Sequence, residues 1–177
     1  GLIASQAALE RYTNYFGRSE EEKVSIDTEQ RCPVDCIIQP EDTSVTLCGI
    51  TFPVHHLPGH SLDHIVIGTP DGVCFAGDAL LTENVLRHVK LPYCDHVGLD
   101  LESKEAITKL PYQHWILSHK GPFDGNIREL AEKNMDLVRL RLAELAKLLQ
   151  RPMTRDEFYQ ESRRLIGMHI GTYDQLI

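Results

Sequence analysis

The chain has 177 residues, 42% of them hydrophobic, with 26 acidic against 18 basic side chains and a formal net charge of -8. That length and apolar content support a folded domain with its own core, and they exclude a disordered chain. The negative balance argues against general affinity for nucleic-acid backbones or anionic membrane surfaces, and no run of about 18 apolar residues is present that could span a bilayer.

In chain order, Gly1 to Ser5 reads as a strand end, and Ser5 can cap a helix running through Ala8, Leu9, Tyr12 and Phe16 to a stop at Gly17. Arg18 to Asp42 is charged and without period, the signature of a surface loop or insertion. From Val45 the pattern becomes β-rich: Val45 to Cys48 and Ile50 to Leu57 flank Gly49 as one hairpin. His64 to Thr69 and Val73 to Ala76 flank Pro70-Asp71-Gly72 as a second. Asp100 or Ser103 is expected to open a helix that Pro111 ends, and Trp115, Ile116 and Leu117 form a short buried strand. Ile127, Ala131, Met135, Val138, Leu142, Leu145 and Leu149 then recur at helical steps, predicting one long amphipathic helix closed by Pro152. Thr154 to Glu157 has the form of a capping box opening another helix through Leu165. The expected organisation is a domain over 1–125 followed by a helical extension over 126–177.

The chemistry-bearing residues stand just past apolar strands. They are His60 in Pro58-Gly59-His60-Ser61, Asp78 in Phe75-Ala76-Gly77-Asp78, and His119 in Ser118-His119-Lys120-Gly121. A sheet can hold loops at its strand ends in fixed geometry. Imidazole nitrogen and carboxylate oxygen suit zinc, manganese or iron, and a carboxylate can bridge two cations where a neutral imidazole cannot. Gly59 and Gly77 are expected to permit close backbone approach beside the ligands.

These three segments, in this order and with a strand–turn–strand between the first two, resemble successive motifs of the metallo-β-lactamase superfamily over roughly Gly1 to Phe123. The resemblance implies the α/β (α+β) fold of that family, a four-layer αββα sandwich, of which this sequence carries the later portion with a helical, winged-helix-like C-terminal extension. It implies that His60 is a ligand of a first metal, that Asp78 bridges two metals at the catalytic centre, and that His119 belongs to the second. The implied cofactor is a pair of divalent ions, zinc in type with iron or manganese as alternatives. The implied activity is hydrolysis by a metal-bound hydroxide of a small-molecule ester, thioester, lactone, lactam or phosphodiester. The H-x-H-x-D-H loop that supplies the remaining ligands in the family is absent: Asp63-His64 and Asp95-His96 lack its preceding histidines. The expectation is therefore a natural protein that begins upstream of Gly1, with an incomplete site in this chain alone. After Asp78, Ala79 to Asn84 lacks the glycine- and arginine-containing segment associated with glyoxalase II.

Other features favour plainer readings. His64 is expected to be structural or to hydrogen-bond near the site, and His55 and His56, adjacent in a strand, point to opposite faces. Cys32, Cys36, Cys48, Cys74 and Cys94 are odd in number and irregularly spaced, which suits reduced thiols in a cytoplasm. Arg87, His88, Lys90 and Lys120 follow the candidate ligands closely and could draw an anionic substrate, although solvated charge is the simpler reading. The alternative to a hydrolase is a non-catalytic half-fold that self-associates as a homodimer or pairs with a partner chain supplying the missing segment, because half a sandwich exposes an apolar sheet face.

Overall fold

The structure, a computed structural model, describes residues 36–119 and 121–167. The expected strand and helix between Gly1 and Gly17, most of the Arg18–Asp42 loop, Cys32 and Lys120 lie outside the described residues. The chain divides into two compact units, Gly1–Gln39 and Pro40–Ile177, and the second holds all the elements below.

Six strands form one sheet in sequential order: β1 (Ser44–Leu47), β2 (Ile50–His56), β3 (Ile65–Gly68), β4 (Val73–Gly77), β5 (His114–Leu117) and β6 (Gly121–Phe123). Both expected hairpins are present. Leu47 pairs with Ile50 across Cys48 and Gly49, whose φ values of 53° and 79° match the two-residue turn that follows sheet twist. Thr69 N–H to Val73 O closes the second at 2.7 Å. Every neighbouring pair is antiparallel except β4 with β5, which is parallel. A parallel pair needs a long crossover, and the connection contains α1 (Glu83–Leu86) and α2 (Val97–Ile107). The strand β6, which periodicity did not signal, pairs Phe123 with Trp115.

Strand alternation gives the sheet two different faces. Val66, Cys74, Trp115 and Leu117 share one face and a core with Ile107 of α2 and with Leu130 of α3 (Ile127–Ala146). On the other face the register aligns Val54, Ile67, Phe75, Ile116 and Pro122 across five strands. Val54 is buried, Ile67 and Ile116 are half-buried, and Phe75 is 47% exposed.

Two helix boundaries differ from the sequence expectation. The helix α2 starts before Asp100 because His96 caps it, its Nδ1 accepting from Leu99 N–H at 3.2 Å. Asp100 and Ser103 are buried inside the helix instead, and Asp100 pairs with Lys104, also buried. The long helix stops at Ala146 and gives way to a tighter turn over Lys147–Gln150, with Leu149 out of helical φ/ψ. Leu130, Ala131, Asn134, Met135 and Val138 are buried, whereas Leu142 and Leu149 are exposed. The last helix, α4 (Arg155–Ile166), opens on the expected capping box: Glu157 N–H donates to Thr154 Oγ1, and Thr154 N–H to Glu157 Oε2.

Candidate metal centre

The sheet topology brings four chain segments to one edge. The end of β2, the start of β3 and the ends of β4 and β5 lie together, since β2–β3–β4 alternate in direction and β4–β5 run parallel. Asp78 follows β4 and His119 lies just past β5, held by Ser118 N–H donating to Gly77 O at 3.2 Å. The register shift in β4 between Phe75 and Gly77 sits at this edge, as bulges do where a strand end must re-aim a side chain.

Asp78 stands between the two expected imidazoles. Its Oδ2 lies 3.6 Å from His60 Nε2 and its Oδ1 lies 3.2 Å from His119 Nε2, so the two carboxylate oxygens address different rings. Oδ1 is buried and has no hydrogen-bond partner, the His119 ring being its polar contact at 3.2 Å. A buried carboxylate oxygen without a donor is costly, and a cation between it and the imidazole nitrogen would remove that cost. The donor chemistry fits zinc, iron or manganese. Among the described residues, no three His, Cys, Asp or Glu side chains form a ready coordination cluster. The two imidazoles lie against opposite oxygens of one carboxylate.

His60 is oriented by the segment before α2. Its Nδ1 lies 3.3 Å from Tyr93 O, and a carbonyl only accepts, so the proton of the neutral ring belongs on Nδ1 and the lone pair on Nε2 faces Asp78. The Tyr93 ring meets the His60 ring edge-on at 5.4 Å, while its hydroxyl donates to Asp95 Oδ1 at 2.7 Å. Asp95 and His96 N–H both donate to Gly59 O, and Ser103 Oγ donates to Pro58 O at 2.6 Å. A Cβ on Gly59, whose φ is 142°, would come within 2.3 Å of Asp100 Cα, so only glycine lets the loop rest on α2. Nothing in the sequence pointed from His60 to Tyr93, because the contact joins two irregular segments.

Of the two readings of His64, the structure favours the hydrogen bond near the site. Its Nε2 accepts from Asp78 N–H at 3.2 Å, its ring meets that of His60 at 5.7 Å, and its Nδ1 is buried without a partner. Burial, reinforced by His60, holds its pKa below the ordinary imidazole value. Behind the site, Asn134 of α3 clamps the chain after Asp78 by accepting from Leu81 N–H and donating to Leu81 O, both at 2.9 Å.

The remaining histidines have other duties. His55 Nε2 meets Tyr112 OH at 2.9 Å, His56 Nε2 meets Asp42 O at 3.0 Å, and His96 caps α2. Arg87 pairs with Glu83 and is exposed, and His88 Nδ1 bonds its own turn at Asn84 O, which is the solvated reading. Cys36, Cys48, Cys74 and Cys94 are free thiols.

No family model and no curated protein matches the sequence. Solved structures do match. A metallo-β-lactamase family protein from Thermus thermophilus superposes with a TM-score of 0.62 at 25% identity, covering 90% of this chain and 54% of its own. A β-lactamase domain protein from Burkholderia ambifaria gives 0.55 at 22%, over 82% of this chain and 46% of its own. The BLEG-1 B3 metallo-β-lactamase gives 0.50 at 22%, over 76% and 59%. The chain spans about half the length of these structures.

Proposed function

Starting from a chain that has the metallo-β-lactamase fold, we propose that it is the ligand-bearing later portion of a metal-dependent hydrolase. His60 would serve one divalent cation, His119 a second, and Asp78 both. The observation that carries this reading is the Asp78 carboxylate, whose two oxygens face different imidazoles while the buried Oδ1 has no hydrogen bond. When bound, such cations supply Lewis acidity and make water a nucleophile near neutral pH. The chain's own residues orient them: Tyr93 O holds the His60 tautomer, and the parallel β4–β5 pairing holds Asp78 beside His119. Zinc suits the nitrogen and carboxylate donors best, with iron or manganese as alternatives. The substrate class is an ester, thioester, lactone, lactam or phosphodiester of a small molecule.

Each cation would draw only two groups from His60, Asp78 and His119, below the three protein ligands usual for a catalytic zinc. This chain alone therefore binds metal weakly and turns over little, and the full site needs further sequence. Metal content, measured by mass spectrometry after zinc, iron or manganese loading, together with hydrolysis of the five substrate types, tests this. Loss of binding in Asp78→Asn and in His119→Ala supports the reading; undiminished binding in Asp78→Asn overturns it. Free thiols and a net charge of -8 support a cytoplasmic protein without nucleic-acid affinity. Among the described residues, no helix is long and apolar enough to cross a membrane.

The aligned apolar residues around the exposed Phe75 favour a second reading: a non-catalytic half-fold that self-associates or pairs with a partner chain across that face. Sedimentation velocity separates the two, since a monomer that binds metal disfavours obligate pairing.

A further inference from the structure

We propose that His64 is a positioning residue for Asp78: as a neutral imidazole protonated at Nδ1, it accepts the Asp78 backbone N–H at Nε2 and so fixes where the carboxylate points. The tautomer follows from the partner. A backbone N–H can only donate, so the nitrogen 3.2 Å from it carries the lone pair and the ring proton sits on Nδ1.

Three further observations separate this role from that of an ordinary structural histidine. First, the bond to Asp78 is the ring's one well-aligned hydrogen bond, since Nδ1 is buried and reaches no aligned partner, the Leu57 backbone being a weaker contact. A histidine kept for packing would be cheaper as an apolar residue, so what retains the imidazole here is its acceptor. Second, the chain makes room for the ring. A Cβ on Gly77, where φ is 55°, would lie 3.0 Å from His64 Nε2, so the glycine preceding Asp78 is what lets the imidazole reach the next N–H. Third, the ring is held at both ends of its own segment. Leu57 N–H donates to His64 O at 2.9 Å, His64 N–H to Ser61 O at 3.3 Å, and the ring packs edge-on against His60 at 5.7 Å. One imidazole thus ties the loop carrying His60 to the turn carrying Asp78, across 14 residues of sequence.

The proposal rests on the reading of Asp78 as a metal ligand for its consequence, but not for its geometry, and the test keeps the two apart. In the metal-free 177-residue chain, long-range 1H–15N spectra of the imidazoles should show His64 protonated at Nδ1. A proton on Nε2 overturns the proposal, whatever the chain does with metal. His64→Gln places an amide oxygen near the position of Nε2, whereas His64→Leu keeps the bulk without an acceptor. Exchange of the Asp78 amide should stay slow in the wild type and in His64→Gln and become fast in His64→Leu; equal protection in all three overturns the proposal. In cobalt(II) titrations followed by visible absorption, His64→Leu should bind at least about tenfold more weakly than the wild type, the scale on which lost outer contacts weaken metal sites, with His64→Gln restoring most of the affinity. Unchanged affinity in His64→Leu overturns the positioning role. Where the wild-type chain takes up too little cobalt to titrate, as an incomplete site would, the tautomer and the amide still decide the role of His64. Should His64→Leu fail to fold, the wild-type spectrum and His64→Gln remain decisive.

Discussion

The two faces of the sheet are built from the same strands and are both apolar, yet they meet different surroundings. Cys74 and Trp115 are 0% and 2% exposed beneath the helices, while Phe75, one residue along from Cys74, is 47% exposed on the other side. Strands that read as apolar on both faces belong to a sheet meant to be covered twice. The helical cover is supplied by Ile107, Leu130 and Ala131, which join the strand residues in a single core. The metal-ligand candidates stand on the edge between the two faces, so their geometry depends on the covered side for rigidity.

The largest effect expected of this difference is on stability. Trp115→Ala removes the bulk of a buried ring and should cost about 3–5 kcal/mol, a large part of the total stability of about 5–15 kcal/mol typical of a domain. Phe75→Ser should cost within about 1 kcal/mol, as surface changes do. Urea unfolding of both variants measures the contrast; equal losses would mean that the second face is as closely packed as the first. Thiol chemistry probes the same contrast without mutation. Burial pushes the Cys74 thiol up to about 12, which leaves its thiolate roughly three orders of magnitude scarcer than in a free cysteine of pKa ~8.5. Alkylation mapped by peptide mass should therefore mark exposed Cys36 and Cys48 in minutes and Cys74 only on unfolding. Cys94, pushed up to about 11 chiefly by burial, should be nearly as slow. Fast labelling of Cys74 in the native chain would contradict its place in the core. A smaller effect is expected on association: Phe75→Ser should shift sedimentation towards monomer where Trp115→Ala, if folded, does not.

Much of this was legible in the sequence wherever a local rule has one outcome. The Asp71-Gly72 turn and the Thr154–Glu157 box each satisfy their backbone groups within a few residues, the strand before His119 shows as a short apolar run, and each is found in place. His60, Asp78 and His119 were legible as a set because each follows an apolar strand. What failed to show depended on which of several possible partners the folded chain selects. The start of α2 was misplaced because Asp100, a good capping residue by type, is drawn into a buried pair with Lys104 while His96 takes the cap. The apolar stripe of α3 recurs as far as Leu149, but the period records only which side is apolar, and full burial ends at Val138. Tyr93 could not be placed by pattern, since it acts through its carbonyl, and pattern left His64 between a structural role and a bond near the site because its partner is an N–H donor that only the folded β4 end presents.

The smallest expected effect lies at the margin of the covered face, where His55 is paired opposite Val66. Its ring meets Tyr112 edge-on at 5.7 Å with Nε2 2.9 Å from the hydroxyl, and Tyr112 in turn packs against Trp115. Desolvation by burial lowers the His55 pKa from its ordinary value. The unfolded chain then binds a proton more readily than the folded one, so this group favours folding above the unfolded imidazole value of ~6.5 and loses that contribution as pH falls through it. His55→Gln keeps a hydrogen-bonding group for Tyr112 and removes the titration. Stability measured by urea unfolding between pH ~7.5 and ~5, a window that brackets that imidazole value, should therefore fall more steeply in the wild type than in His55→Gln, with His64 contributing equally to both curves. Parallel curves would mean that His55 titrates as it does in water, and that the covered face opens to solvent before it reaches β2.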